Sequence, residues 1–549
     1  MLSETKATVI SVPKSFPPAS SSNSKGNSDG KHESDCLKSG SLDKVNAPAP
    51  EMKRRSKYDR YRTTNLKKIT MELSNQKTHL TADQISNARD VFYVWGKRVK
   101  YTPNCGRSGC EMMHMLLKSL AVREECEDID VGWFMYGMDA CGKSCEARRS
   151  QQIMEDLIQL HADTGLERLM PDVNCYNVLI DAWSRSKEKG AAEKAESILN
   201  DMIRNIVEQA DHTNAGASGD KILPNTTSFN NAMNVWVKTT NDKCGTQAEA
   251  IFREMVELYE GGFEQVKPNI STYNILISSW ANSMTGDSFL NAERIFHELE
   301  HAIDAGLDVE PDNYTFSSML MALANSGVKD ITGAADKLIS RIEALSEEGK
   351  YDVRFDTVMY NSLLNVWLRS NQPTASDRGM KIVERMEKEY NRGDVDARPD
   401  SVTYNILMNI YANADMDGSR AEEVLLKMEK LAHVHPDVIS YNTVLNAWKL
   451  SGNARKAQMM LDMMEANLDS RGRRKVKPDA ISYQTVMCAW ASSKEIYAAE
   501  NAEAILERMD TRFREGYRQL KPTLQSYNIV LNSFSKSRSG DGKSCELHQ

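Results

Sequence analysis

Residues 435–452 read HPDVISYNTVLNAWKLSG, and this stretch contains the pattern that decides the fold. Its large side chains are Tyr441 and the residues three, four and seven positions later, which are Val444, Leu445 and Trp448. Side chains at this spacing lie on one face of an α-helix. The stretch therefore predicts an amphipathic helix that presents one apolar stripe to a neighbouring element.

The same pattern occurs nine times along the chain, each time beginning at an aromatic residue. These residues are Tyr176, Phe229, Tyr273, Phe316, Tyr360, Tyr404, Tyr441, Tyr483 and Tyr527. Successive members are 53, 44, 43, 44, 44, 37, 42 and 44 positions apart. A near-constant period of this size is typical of a helical repeat protein.

A second apolar pattern follows the first in the repeated unit. An alanine followed by large apolar residues, as in AEEVLLKM (421–428) and AEAILERM (502–509), predicts a second helix that packs closely on the first. One such hairpin has too little core to fold alone, so neighbouring hairpins must stack. We predict an all-α fold, a right-handed α-solenoid of helix-turn-helix hairpins.

Composition divides the chain into four parts. Residues 1–65 are rich in Ser, Pro and Lys and are predicted to be a disordered tail. Residues 66–130 form a helical lead-in whose register the pattern does not define. The solenoid is predicted over 131–536, with one degenerate unit around 134–144 before the nine clear ones. Residues 537–549 are predicted to be a second disordered tail.

Bulk properties exclude several classes of protein. No run of about 18 apolar residues is present, so we expect no membrane partner. The ten cysteines are scattered, which favours a reducing compartment over a disulfide-stapled module, and none of their groupings has the spacing of a strong zinc site. We therefore predict no metal and no cofactor. A net charge of −8 argues against a protein that coats nucleic acid by charge alone.

One short motif points to a different chemistry. Residues 137–144, GMDACGKS, satisfy the phosphate-loop pattern G-x-x-x-x-G-K-[ST]. A working phosphate loop needs a parallel sheet behind it, whereas everything downstream is predicted to be helical hairpins. We interpret the match as a chance feature of the degenerate unit.

Two sets of polar residues recur with the aromatic pattern. A residue that caps a helix well precedes each first helix, and capping is one of two explanations for this set, the other being a part in base reading. The residue directly after the aromatic is asparagine in seven of the nine units, although Lys, Glu or Ala would serve a helix better. A flat amide offers two donors and one acceptor, which suits the edge of a nucleobase. We interpret this second set as a base-reading surface.

The segment PDVISYNTVLNAW with its following AEEVLLKM-type helix resembles the pentatricopeptide repeat, an RNA-binding helical hairpin, over about 170–535. The units of 42–44 residues resemble the long repeats of protein-only RNase P. The resemblance implies one RNA base per repeat, read by the residue after the aromatic and the capping residue of the next unit. The implied pairs are Asn177 with Asn225, Asn230 with Asn269, Asn274 with Asp312, Ser317 with Asp356, Asn361 with Asp400, Asn405 with Asp437, and Asn442 with Asp479. Gln484 with Thr523 is an eighth pair that the resemblance does not decode.

The base preferences of the family imply uracil for Asn with Asp, a pyrimidine (Y) for Asn with Asn, and guanine for Ser with Asp. The implied RNA is Y-Y-U-G-U-U-U, read 5′ to 3′ from the N-terminal end, with U-G-U-U as its core. A basic cluster before one first helix is expected to hold RNA phosphates. It consists of Arg471, Arg473, Arg474, Lys475 and Lys477.

These observations predict a sequence-selective adaptor that binds single-stranded RNA in RNA processing, stability or translation. The alternative is a helical-repeat scaffold for protein partners. We expect no enzyme, because the sequence stops within the ninth hairpin and leaves no room for a catalytic domain. A processing nuclease is the alternative if the sequence is a fragment. The resemblance implies a mitochondrial or plastid location, although the N-terminal residues have few arginines and are not typical of a transit peptide.

Overall fold

The fold is known from a computed structural model, which describes residues 63–75, 81–101, 106–121, 123, 126, 129–211, 222–239, 242–283, 285–347, 351, 353–370, 372–466 and 476–538. The chain divides into two regions. Met1–Arg62 lies outside the described residues, and Thr63–Gln549 contains all of them.

The described residues form twenty-two α-helices and no β-strand. A π-helical turn, Tyr411–Asp415, continues α16. In chain order, α1 to α22 are Thr63–Asn75, Ala82–Tyr101, Gly106–Leu120, Val131–Lys143, Ala147–Thr164, Val173–Ser184, Ala191–Asp211, Thr226–Thr239, Cys244–Glu260, Ile270–Asn282, Ser288–Asp304, Asn313–Asn325, Ile331–Glu347, Thr357–Ser370, Ala375–Asn391, Ser401–Ile410, Gly418–Lys430, Val438–Leu450, Ala454–Glu465, Ala480–Ser492, Ala498–Arg514 and Leu524–Arg538.

The helices pack as a continuous array of hairpins. We call the even-numbered helices from α2 to α22 the first helices and the odd-numbered helices from α3 to α21 the second helices. Each first helix packs against the next first helix and against the second helices that precede and follow it in the chain. The core therefore runs from one unit into the next. The prediction of an all-α solenoid of helical hairpins is confirmed for the described residues.

The apolar stripe of each first helix forms the core, as its spacing predicts. In α18, Tyr441, Leu445 and Trp448 are all buried. The ring of Trp448 lies directly against Gly418, where an added Cβ would come within 2.4 Å of Cε3 of the indole. A glycine at the start of α17 therefore allows the tryptophan of the following unit to approach the helix backbone.

Helices α2 and α3 form a further hairpin, which the sequence pattern did not place. Helix α2 packs against α3 and α4, as a first helix does in the other units. Helix α1 packs against this hairpin, and Trp95 Nε1 donates to Thr70 Oγ1 at 2.9 Å in a buried contact. The array of first helices therefore begins before the degenerate unit.

Three other predictions concern the phosphate-loop match, the two tails and the absence of a membrane-spanning segment. The match to a phosphate loop lies in α4 and its C-terminal end, where Gly142 lies so close to α6 that an added Cβ would be 2.8 Å from Ala182 Cβ. The predicted tails at 1–65 and 537–549 lie mostly outside the described residues. Of the tail positions that are described, 63–65 belong to the start of α1 and 537–538 to the end of α22. No described helix is long and apolar enough to cross a membrane.

Candidate nucleic-acid interface

The polar residue before each first helix from α6 to α20 is an N-cap whose side chain accepts from a backbone N–H of the first turn, as predicted. Asp479 has an extended backbone, and its Oδ1 accepts from the backbone N–H of Ser482 at 2.9 Å. The Ser482 hydroxyl in turn accepts from the backbone N–H of Asp479 at 3.1 Å, which completes a reciprocal capping box. The same box occurs at Asn269 with Thr272, Asp312 with Thr315, Asp400 with Thr403, and Asp437 with Ser440.

The cap of α8 is an asparagine that makes the same two bonds. Asn225 Oδ1 accepts from the backbone N–H of Ser228 at 3.1 Å, and the backbone N–H of Asn225 donates to Ser228 Oγ at 3.1 Å. The contacts of Asn225 thus include those of a helix cap, although the resemblance implies a base-reading residue. Capping and base reading are compatible, because the Nδ2 group of Asn225 is not used by the capping box.

The asparagine after the aromatic contacts the cap of the next first helix. Asn442 Nδ2 donates to Asp479 Oδ1 at 3.1 Å. The Ser482 hydroxyl approaches Asn442 Oδ1 at 2.6 Å and Asp479 Oδ1 at 3.1 Å, and its single hydrogen favours the shorter contact. One amide thus joins two neighbouring units through both its donor and its acceptor.

The structure brings six of the eight sequence-predicted pairs into hydrogen-bond contact. Their distances are 3.3 Å for Asn177 with Asn225, 3.4 Å for Asn230 with Asn269, 3.0 Å for Asn274 with Asp312, 3.3 Å for Asn361 with Asp400, 3.1 Å for Asn442 with Asp479 and 3.2 Å for Gln484 with Thr523. At these junctions the paired residues are 37 to 48 positions apart in the sequence and are in physical contact. The pairing had been inferred from the family resemblance alone.

Two predicted pairs are not brought together. No hydrogen bond joins Ser317 to Asp356 in the described part of the chain, and Asp356 Oδ2 accepts from Asn313 instead at 3.0 Å. Nor does one join Asn405 to Asp437 within the same described part. Ser317 Oγ and Asn405 Oδ1 are buried without a hydrogen-bond partner among the described residues.

Sequence reasoning missed a hydroxyl that takes part in these contacts. Ser228 and Thr315 donate to Asn177 Oδ1 and Asn274 Oδ1 at 2.7 and 2.6 Å, as Ser482 does to Asn442. The signal was present, because a serine or threonine directly precedes the aromatic in seven of the nine units. The asparagines are therefore more than polar residues tolerated between hairpins, since they also connect successive units.

A row of exposed apolar side chains was also missed. Each lies two residues after a cap, next to a predicted pair, and is 53–59% exposed. We call this set the apolar row: Tyr314, Val358, Val402, Ile439 and Ile481. The first three units and the ninth have polar residues at the same position. Burial does not explain large apolar side chains held in water beside hydrogen-bonding groups, so they are candidates for ligand contact.

Several acidic residues of the second helices form ion pairs with basic residues of neighbouring second helices. Burial acts to raise the pKa of Glu249, but hydrogen bonds from Arg294 and Arg253 outweigh it and leave that pKa lowered. The ion pairs between second helices include Arg294–Glu249 at 2.7 Å, Arg253–Glu298 at 2.7 Å, Arg385–Glu343 at 2.8 Å, Lys427–Glu387 at 2.6 Å and Arg508–Asp462 at 2.7 Å. These acidic side chains are thus paired with basic ones on the second helices, away from the first helices.

The predicted phosphate-binding cluster lies mostly outside the described residues, which exclude Arg471, Arg473, Arg474 and Lys475. Lys477 is exposed, and its Nζ lies 5.4 Å from the centre of the Tyr517 ring. The described residues contain no group of His, Cys, Asp and Glu side chains that could hold a metal ion.

Comparison with known proteins agrees with the repeat that the pattern predicts. A family model described as the pentacotripeptide-repeat region of PRORP matches residues 328–471. This match confirms the resemblance to long pentatricopeptide repeats, and it covers α13 to α19 completely. A comparison with curated proteins finds no match.

Similar solved structures include two RNA complexes. The pentatricopeptide repeat protein PPR10 with an 18-nt psaJ RNA element is 18% identical, with 85% of this chain and 68% of that chain covered and a TM-score of 0.35. Yeast Rmd9p with a 16-nt target RNA is 10% identical, with 88% and 98% covered and a TM-score of 0.34.

Proposed function

We propose that the chain binds single-stranded RNA with sequence selectivity and reads one base at each junction between first helices. The observation that carries this proposal is the repeated juxtaposition of an amide, a cap and, in five units, an exposed apolar side chain. The amide and cap can hydrogen-bond the edge of a base, and the apolar side chains can contact its faces. The match to long pentatricopeptide repeats over residues 328–471 supports the same assignment.

The proposed RNA is Y-Y-U-G-U-U-U, with its 5′ end at the N-terminal units. Ser317 and Asp356, which would read guanine, do not bond each other in the described part of the chain, where Asp356 accepts from Asn313 and from the backbone N–H of Met359. At the five junctions where an asparagine bonds the next cap, its second amide hydrogen is still available to donate. The role of the chain would be that of an adaptor in RNA processing, stability or translation.

The experiment that tests the proposal is the substitution Asn405→Thr, with binding measured against RNAs that carry each base at the sixth position. The variant should shift the preference there from uracil toward guanine, because a wrong base at a read position costs about 1–3 kcal/mol. Asn409→Thr makes the same change one turn later in α16 and should leave every preference unchanged.

Equal loss of affinity for all sequences, or no loss at all, would show that Asn405 is only structural. Absence of RNA binding by the unsubstituted chain at moderate salt would favour the protein scaffold, for which the apolar row is the available surface. A mitochondrial or plastid location is a separate proposal from the resemblance, and imaging of a tagged full chain tests it.

A further inference from the structure

The hairpin α2/α3 has the same register as the later units. Phe92, Trp95, Gly96 and Val99 are buried at positions zero, three, four and seven of a stripe in α2. Phe92 therefore corresponds to the aromatic residue of the repeat, and Tyr93 occupies the position that asparagine holds in the later units. In the same way Phe134 is the buried aromatic of α4, and Trp133 corresponds to the hydroxyl residue.

The junction between α2 and α4 consequently carries aromatic rings where later junctions carry an amide and a hydroxyl. The centre of the Tyr93 ring lies 5.4 Å from that of Trp133 and 5.4 Å from that of Tyr136. Tyr136 lies against Gly96, where an added Cβ would be 2.4 Å from Cε1 of the tyrosine ring. We call Tyr93, Trp133 and Tyr136 the aromatic patch.

The aromatic patch is open to solvent rather than part of the core. Tyr93 is 41% exposed, and Trp133 and Tyr136 are partly exposed, whereas Phe92 beneath them is buried. Core packing at this junction is provided by Phe92 and Phe134, so it does not require three further rings at the surface. Exposed aromatic rings in line with base-reading positions are suited to stacking of unpaired bases.

We propose that the aromatic patch stacks one unpaired nucleobase of the bound RNA, without regard to its identity. This proposal rests on the proposed function. Stacking tolerates any base, because every nucleobase has a π-face. The junction between α4 and α6 carries Met135 in the asparagine position and lies between the patch and Asn177. The stacked base is thus the second nucleotide upstream of the first base read.

The test measures binding of the full chain to the seven-nucleotide segment alone and with two nucleotides added at the 5′ or 3′ end. The second 5′ addition should tighten binding on the order of tenfold for any base, and an abasic nucleotide there should not. Tyr93→Ala should abolish the gain and keep the affinity for the seven-nucleotide segment, while Tyr93→Phe should preserve the gain. Circular dichroism checks that both variants are folded.

The outcomes separate the two proposals. A chain that binds the seven-nucleotide segment but gains nothing from either extension, or whose gain survives in Tyr93→Ala, overturns the aromatic patch alone. A chain that binds no RNA overturns the proposed function and the patch with it. A gain from the 3′ extension that Tyr93→Ala removes supports the patch with the RNA strand reversed.

Discussion

Two adjacent junctions contain the same residue types in the same order and differ in structure. At the Asn442 junction, the amide of Asn442 bonds Asp479 and Ser482, and Trp490 Nε1 donates to Gln458 Oε1 at 2.9 Å. At the Asn405 junction, formed with Asp437 and Ser440, the amide bonds neither residue in the part of the chain that the structure describes. Both caps still form their capping box, so the difference lies between the helices and not within them.

A buried polar atom lacks a hydrogen-bond partner at each end of the Asn405 junction. Asn405 Oδ1 and Trp448 Nε1 are buried without a partner among the described residues. The unit at this junction is the short one, with 37 residues from Tyr404 to Tyr441 against 42 from Tyr441 to Tyr483, and α16 ends in the π-helical turn. The five asparagines that bond the next cap all belong to units of 42 residues or more, so we infer that the short unit keeps the Asn405 amide from its cap through the placement of one first helix on the next.

The largest expected effect comes from weakening the packing of α18, the helix that both junctions share. Leu445 is fully buried in α18, which carries Asn442 and begins at the cap of the Asn405 junction. Leu445→Ala should lower the free energy of unfolding by about 2–5 kcal/mol, because it leaves a cavity in the stacked core. Leu450→Ala on the exposed side of the same helix should cost under about 0.5 kcal/mol. Chemical denaturation measures both, and equal effects would show that α18 is not part of a continuous core.

The next effect separates the two asparagines by stability. Asn442→Ala removes two hydrogen bonds between units and should lower the free energy of unfolding by about 1–2 kcal/mol. Asn405→Ala removes an amide whose buried oxygen has no partner among the described residues, and should change it by less than about 0.5 kcal/mol. Denaturation of the two variants in parallel provides the comparison. A cost at Asn405 as large as that at Asn442 would mean that the Asn405 amide does bond Asp437 or Ser440 in solution.

The tryptophans extend the comparison to the other end of the same helices. Trp490→Phe loses the bond to Gln458 and should cost about 1 kcal/mol more than Trp448→Phe, whose indole N–H has no partner to lose among the described residues. Both changes remove the same volume from the core, so each serves as the control for the other. Thermal unfolding of both variants measures the difference, and the reverse order would contradict the assignment.

The smallest expected effect concerns base selectivity. Ser482→Ala removes the donor that orients the Asn442 amide and should reduce the preference for uracil at the seventh base by about fivefold, or roughly 1 kcal/mol. Ser440→Ala removes the hydroxyl of the Asn405 junction, where the Asn405 oxygen accepts no bond from the described residues, and should leave the preference at the sixth base unchanged. Ser482→Thr should restore selectivity. Competition binding measures all three, and equal losses at both bases would assign the hydroxyls to capping alone.

Local sequence predicted much of the candidate site. Asp479 and Ser482 form a capping box within one helical turn, and such contacts follow from residue type and spacing alone. The pairing of Asn442 with Asp479 came from resemblance and not from the residues. The opposite behaviour of Asn405 has no sequence signal at the residue itself, because its neighbours have the same chemistry. Only the unit length, 37 instead of 42–44 residues, marked that junction as unusual.

The sequence by itself determined the all-α class, the repeat, the caps and the buried stripe, because each depends on periodicities within a few residues of the chain. The tertiary structure alone decided which amides bond the next unit and which apolar side chains are exposed to solvent. It also decided that α2, which carries Tyr93, packs as a first helix. These features depend on how one helix is placed against another. A hydrogen bond is lost when its atoms move apart by about an ångström, a precision that residue spacing does not specify.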